Sequence, residues 1–304
     1  MFDLKRNSKV LKLIKSKKAK RVLIQVPEGL KIGVGNLIDF LEKNGLEVML
    51  SVEPCFGGCD LRDNEAKELG CDLLLHIGHK DLGLKTKPPV VYYEYFMDSD
   101  FVPLLRKFLK KLKFRKICLV TTIQFAKNLD SAKRFLEKNG FKIYLGKDIL
   151  GCDVSNAKRF EGISECYLFI GSGRFHPLGL QERTSKPVLF LDIEKRALED
   201  LSKEKNKLEV KKEMRIQKAG GLRNFGIIIS TKKGQLRLKT AENVKKTLKK
   251  RGKNVYMLVC DQLIPEKLLG LEIDVLVNTA CPRIREDCEQ FRKVILNPED
   301  VESL

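Results

Sequence analysis

Two cysteines flank Phe-Gly-Gly in PCFGGCD, residues 54–60, and an aspartate follows the second. This stretch lies just past LEVMLSVEPC, a run that reads as a β-strand. Three more cysteines stand in comparable places. Cys152-Asp153 ends LGCD, Cys260-Asp261 ends VCD, and Cys281 lies in NTACPRI, each past an apolar run. Thiolates so placed can hold a metal. Structural zinc takes four ligands, yet the chain has only three histidines and no Cys-x-x-Cys pair. Three thiolates on a [4Fe–4S] cluster would instead leave one iron open to substrate. Such an iron can chelate the amino and carboxylate groups of S-adenosylmethionine. Cys55 and Cys59 match the first half of a CxxxCxxC loop, but Arg62 occupies the third position. A cluster here has to draw its ligands from distant parts of the chain.

The elements that would position these residues recur. RVLIQVPEGL reads as a strand and turn, followed by a helix near 33–44, the strand LEVMLSVEPC, a helix near 61–69 and the strand DLLLHIGH. KICLVTTIQF starts a second round, with a helix near 128–139 and the strands KIYLGKDILGC and ECYLFIGSG. NFGIIISTKKGQ starts a third, with a helix near 238–251 and the strands NVYMLVCDQL and IDVLVNTACPRI. The strands are short and rich in Val, Ile and Leu, as buried parallel strands are. Helices end in the similar turns EKNGLEV, EKNGFKI and KKRGKNV, with glycine at the C-terminal cap. The expected fold is α/β. It has three similar domains, each a small parallel sheet flanked by helices, arranged around a central site. The expected domains are 1–100 with Cys59, 101–195 with Cys152, and 196–304 with a linker helix and Cys281. The charged stretch around 195–220 is read as that linker helix.

In open α/β sheets, ligands bind outside the carboxyl ends of the strands. Cys59, Cys152, Cys260 and Cys281 all fall there. By position and by the following aspartate, Cys260 matches Cys59 and Cys152. Cys281 sits at the same edge, so the repeat pattern leaves the third ligand open between the two. Cys71, Cys118 and Cys166 lie within apolar strands and read as core residues, because a thiol packs as a small hydrophobe.

Composition narrows the classes. The 304 residues are 43% hydrophobic and 33% charged, with a net charge of +19 and no tryptophan. No apolar run reaches the roughly 20 residues of a membrane span, and the basic N-terminus lacks the pattern of a signal peptide. A cytoplasmic protein is expected, and its reducing surroundings argue against a disulfide framework for the nine cysteines. Val10, Leu11, Leu13 and Ile14 recur at helical spacing near the N-terminus, which predicts a cationic amphipathic helix. The positive charge implies an acidic partner. Sparse aromatic residues give few stacking platforms, which disfavours direct nucleic-acid binding.

Other motifs suit anion recognition. Gly171-Ser172-Gly173-Arg174-Phe175-His176 closes a strand with a glycine turn whose amides can cradle an anion. Arg174 could pair with a carboxylate through two hydrogen bonds. Ser230-Thr231-Lys232-Lys233-Gly234-Gln235 follows a strand and precedes a helix, and its hydroxyls, a lysine and the helix N-terminus suit a carboxylate or ribose. Its spacing differs from that of a P-loop. Arg283, two residues past Cys281, could stabilise a reduced cluster or a bound substrate. His76, His79 and His176 are candidate bases, each equally readable as a hydrogen-bonded structural histidine.

The ordered set VPEGLK, PCFGGCD, LLLHIGH, LGCD with SNAK, FIGSGRFHPLGL, ISTKKGQ and NTACPRI resembles the archaeal diphthamide-synthesis family from about residue 20 to 300. The resemblance implies a noncanonical radical enzyme, homodimeric, with one [4Fe–4S] cluster per chain. It would transfer the 3-amino-3-carboxypropyl group of S-adenosylmethionine to a histidine of translation elongation factor 2, the first step of diphthamide biosynthesis. An electron donor is implied as well. The ligands it implies are Cys59, Cys152 and Cys281, with Cys55 and Cys260 in reserve. Arg174, His176, Ser230, Thr231, Gln235 and Arg283 are the residues expected to bind S-adenosylmethionine. The family's His-x-Gly-His segment is present as His76-Ile77-Gly78-His79, but Lys-Asp follows where a small polar residue is expected. An alternative is a three-cysteine [4Fe–4S] lyase of the quinolinate-synthase type, which also has three similar domains.

Overall fold

The structure, a computed structural model, describes residues 4–285 and 288–304. Three separate sheets form. By compactness the chain divides into two units, Met1–Phe96 with Lys232–Gln235, and Met97–Thr231 with Leu236–Leu304.

The first unit holds one four-stranded sheet, built from β1 (Arg21–Gln25), β2 (Glu47–Ser51), β3 (Leu73–Ile77) and β4 (Val90–Tyr93) in the order β2-β1-β3-β4. All pairs are parallel. Alternate residues of the central strands point to opposite faces. Val22, Ile24, Leu73 and Leu75 pack beneath α1 (Leu4–Ser16) and α2 (Val34–Glu42), against Val10, Ile14, Leu37 and Leu41. Leu23 and Leu74 turn the other way and meet Ala66 of α3 (Asp63–Glu68). Burial on both faces explains why these strands carry continuous apolar runs. The expected N-terminal helix is α1, with Val10 and Ile14 as its buried stripe.

The second unit holds the other two sheets. One contains β5 (Lys116–Thr121), β6 (Lys142–Asp148), β7 (Cys166–Gly171), β8 (Val188–Asp192) and β9 (Ala197–Asp200), ordered β6-β5-β7-β8-β9. Its helices are α4 (Val102–Phe108), α5 (Leu129–Lys138), α6 (Ser155–Lys158) and α7 (Phe175–Arg183). Ile117, Leu119 and Leu168 pack on α4 and α5, whereas Cys118, Tyr167 and Phe169 pack on α6 and α7. The remaining sheet contains β10 (Asn224–Ser230), β11 (Asn254–Cys260), β12 (Val275–Asn278) and β13 (Val294–Leu296), ordered β11-β10-β12-β13. Phe225, Ile227, Val275 and Val277 face Ala219 of α8 (Ser202–Gly220) and Ala241, Val244 and Leu248 of α9 (Leu238–Lys250).

The strand order is the same in all three sheets, with the first strand between the second and third and a fourth beyond. This is the repeat seen in the sequence, now as topology. The turns after α2, α5 and α9 place Gly45, Gly140 and Gly252 at φ +84°, +84° and +71°, a left-handed conformation that glycine adopts without a Cβ penalty.

Two features depart from the sequence reading. Each sheet has a further parallel strand, β4, β8 or β13, beyond the three expected. Residues 197–200, read as part of the linker helix, form β9, which pairs antiparallel to β8. Asp192 makes that turn, its Oδ1 accepting the backbone N–H groups of Glu194 and Lys195 at 3.0 and 3.1 Å. The helix expected there starts only at Ser202.

Candidate metal centre

Cys59 lies in the loop between β2 and α3. The segment Lys232–Gln235 is part of the same unit and grips this loop. Gly234 N–H donates to the carbonyl of Cys59 at 3.0 Å. A Cβ on Gly234 would fall 2.6 Å from Cys59 Cα, so only glycine permits the approach. The side-chain amide of Gln235 donates from Nε2 to Cys59 Sγ at 3.3 Å. Lys232 Nζ meets Asp60 Oδ2 at 2.6 Å, with the two side chains 5% and 1% exposed. Lys233 pairs with Asp63 at the start of α3. Lys232 also stands over the ring of Phe56, 4.7 Å from its centroid. The segment is thus fixed by two ion pairs, a backbone hydrogen bond and a hydrogen bond to the sulfur.

Cys152 lies at the exposed turn after β6, and α7 holds that turn through the neighbouring Gly151. Gly151 N–H donates to Nδ1 of His176 at 3.0 Å. Its carbonyl accepts from Arg183 Nη1 at 2.8 Å. Gly179 lets the turn lie directly on the helix, since a Cβ there would sit 2.4 Å from the Gly151 oxygen. Burial, with a smaller contribution from the Arg283 charge, lowers the His176 pKa to about 4. Its imidazole is therefore neutral at pH 7, as its role as acceptor requires.

Cys281 follows β12 and precedes a short 3₁₀ turn, Pro282–Arg285. Buried Asn278 shapes the bend. Its Nδ2 donates to the Cys281 carbonyl at 2.8 Å, and its Oδ1 accepts from Ala280 N–H at 3.1 Å. Arg283 lies over the ring of Phe175, 5.6 Å from its centroid, and a Cβ on Gly151 would lie 2.8 Å from that same ring. One aromatic ring therefore separates the Cys281 turn from the Cys152 turn.

The remaining expected residues fall as follows. Arg174 Nη1 lies 3.4 Å from Glu199 Oε2 of β9. Ser230 is the buried last residue of β10. Thr231 is exposed, and its N–H donates to the carbonyl of Cys260 at 3.0 Å. Cys260 itself ends β11. The core placement of Cys71, Cys118 and Cys166 holds, all three being buried. The eight cysteines other than Cys288 are free thiols. Sequence reasoning missed Arg183 and Gln25, and it placed Lys232, Lys233 and Phe175 in anion-binding motifs without seeing the contacts they make here. The acids after Cys59 beside two consecutive lysines were the available signal for the Lys232 and Lys233 pairs.

The donor set fits a thiolate-bound cluster. Three sulfurs are available at loops beyond strand ends, and one already accepts an amide N–H, the contact that tunes such clusters.

Three α/β sheets that share one strand order, with cysteines beyond the carboxyl ends of their strands, define the class of fold. The chain belongs to the diphthamide synthesis protein family, whose model matches residues 26–304. It is 41% identical to the 2-(3-amino-3-carboxypropyl)histidine synthase of Pyrococcus horikoshii, over 98% of this chain and 89% of that protein. It is 32% identical to the Methanocaldococcus jannaschii protein of the same name, over 92% and 83%. The crystal structure of Dph2 from Pyrococcus horikoshii with a 4Fe–4S cluster superposes with a TM-score of 0.91 at 39% identity, covering 98% of this chain and 89% of that one.

Proposed function

We propose that this protein is a 2-(3-amino-3-carboxypropyl)histidine synthase acting in diphthamide biosynthesis, with a [4Fe–4S] cluster held by Cys59, Cys152 and Cys281. The observation that carries this reading is near full-length similarity, in sequence and fold, to a cluster-bound protein of the same family. Held by Cys59, Cys152 and Cys281, the cluster would supply the one electron needed for reductive cleavage of the Cγ–S bond of S-adenosylmethionine.

The chain's own residues orient and hold. Gln235 directs an N–H at the Cys59 sulfur, and His176 with Arg183 fixes the turn bearing Cys152. Arg283 sets a positive charge beside the Cys281 turn, where a carboxylate or a reduced cluster gains from it. Ser230, Thr231 and Arg174 are assigned to the methionyl and ribose groups. The protein substrate is translation elongation factor 2, and the net charge of +19 suits an acidic partner by speeding encounter. The enzyme works as a homodimer in the cytoplasm and takes electrons from a separate donor. Among the described residues no helix is long and apolar enough to cross a membrane. The lyase alternative is disfavoured by the names its relatives carry.

The test is an anaerobic, dithionite-reduced assay of the reconstituted enzyme with carboxypropyl-labelled S-adenosylmethionine and elongation factor 2. Label transfer to a histidine is expected. Turnover of a small dicarboxylate without cleavage of S-adenosylmethionine would overturn the reading.

A further inference from the structure

Cys55, His76 and His79 lie outside the ligand set proposed above for the cluster, on which this inference rests, and their donor atoms all lie within 4.8 Å of one another. The geometry points to a second metal centre in the first unit: one divalent transition-metal ion of the zinc type, bound by Cys55 Sγ, His76 Nε2 and His79 Nδ1, with water in the fourth position.

The distances are close to those of a tetrahedral site. Zinc–nitrogen bonds of about 2.0 Å and a zinc–sulfur bond of about 2.3 Å give edges of about 3.3 Å between nitrogens and about 3.5 Å between nitrogen and sulfur. His76 Nε2 lies 3.0 Å from His79 Nδ1, and Cys55 Sγ lies 3.9 Å from the same Nδ1. Shifts of a few tenths of an ångström bring these two edges to tetrahedral values, and the third, between Cys55 and His76, lies within 4.8 Å. Cys55 and His76 are buried, and His79 is partly exposed, which gives the ion its entry side.

The surroundings preset His76 as a ligand. Gln25, itself fully buried, donates from Nε2 to the Asp60 carbonyl at 2.6 Å, which places its Oε1 on the opposite side. That oxygen accepts the Arg62 N–H at 3.1 Å and the Nδ1–H of His76 at 2.9 Å. With its proton on Nδ1, His76 presents the Nε2 lone pair to the site. A ligating histidine whose other nitrogen donates to an oxygen is the usual outer-shell arrangement of metal sites.

Metal-free, the group is poorly matched. His79 must bring a proton on Nδ1 to satisfy His76 Nε2, so that nitrogen has no lone pair left for the Cys55 thiol. On binding, the His79 proton moves to its own Nε2, and Cys55 releases its proton to solvent. One divalent ion thus enters and one proton leaves, giving a thiolate and two neutral imidazoles. Burial opposes both the Cys55 thiolate and a charged His79; the Asp60 charge, itself paired with Lys232, acts on both, and Lys232 and Arg62 favour the thiolate.

The experiment uses the full chain with Cys59, Cys152 and Cys281 all replaced by Ala, so that the proposed cluster ligands cannot compete. The metal-free protein is titrated anaerobically with Co²⁺ and then with Zn²⁺. One equivalent of Co²⁺ is expected to bind with a sulfur-to-cobalt charge-transfer band and tetrahedral visible absorption, and Zn²⁺ is expected to displace it. In the same background, Cys55→Ala should abolish the charge-transfer band. His79→Gln, with its fold checked by circular dichroism, should weaken binding by more than the roughly 10–100-fold that loss of an outer-shell partner costs. The proposal fails if no stoichiometric binding occurs, or if the spectrum is the same with Cys55→Ala.

Discussion

Gly151 donates its backbone N–H to Nδ1 of His176 across 3.0 Å, joining the turn that bears Cys152 to the first residues of α7. The bond requires neutral imidazole, and burial supplies it by lowering the His176 pKa to about 4. The ordinary value is about 6.5. A histidine whose folded pKa is depressed contributes stability that is complete above the unfolded value and is lost as pH falls towards the folded one.

Between about pH 6.5 and about pH 4, His176 should therefore make the protein progressively less stable. The urea midpoint of wild type should fall more between pH 7.5 and 5 than that of His176→Gln. At pH 7.5, His176→Ala should cost about 1–3 kcal/mol by leaving the Gly151 N–H without its acceptor. Equal pH dependence in wild type and His176→Gln would contradict this assignment.

Gly179→Ala tests the same turn from the packing side. The added methyl would meet the Gly151 backbone at 2.4 Å from its oxygen, and backbone cannot swing aside as a side chain can. A loss of about 1–3 kcal/mol is expected, together with lower cluster occupancy after reconstitution. Normal iron content and an unchanged thermal midpoint would show that the turn is not seated on α7 as described.

Lys232→Ala leaves Asp60 buried and unpaired. Breaking such a pair by deleting one partner costs about 3–5 kcal/mol. The double variant Lys232→Met with Asp60→Asn should recover much of that loss, and a double-mutant cycle in urea measures the coupling. A coupling near zero would mean that the pair does not hold the Cys59 loop.

Gln235→Leu removes the N–H aimed at the Cys59 sulfur while keeping side-chain volume. Hydrogen bonds to cluster sulfur favour the reduced, more negative state, so removing one should lower the reduction potential. The drop should be on the order of tens of mV for a bond of about 1 kcal/mol. A redox titration followed by electron paramagnetic resonance reads this directly, and a potential that rises or stays fixed would exclude the role.

Cys281 and Cys260 compete for the third ligand position in the sequence pattern. Cys281→Ala, like Cys59→Ala and Cys152→Ala, should lose most of the reconstituted cluster's visible absorbance. Cys260→Ala, at the end of β11, should keep it. The reverse outcome would restore the ligand set suggested by the repeat alone.

The repeating strand–helix units were legible because their signals are local: short apolar runs, and helices closed by Gly45, Gly140 and Gly252. The rule that α/β sites lie beyond strand carboxyl ends then put Cys59, Cys152, Cys260 and Cys281 at one kind of edge. Local signals failed where long-range pairing decides. VVYY became β4 because it pairs with β3, and ALED left the charged helix because Asp192 made a hairpin turn that seats it on β8.

The sequence by itself determined the fold class and the residue types available for chemistry, since patterning and composition act over a few residues. Only the tertiary structure decided what those residues touch. It put Gln235 on Cys59, His176 on the Cys152 turn, and Gln25 behind His76. These contacts join positions 176, 25 and 51 residues apart. A buried polar group must find a partner wherever the chain brings one, and no local pattern encodes that choice.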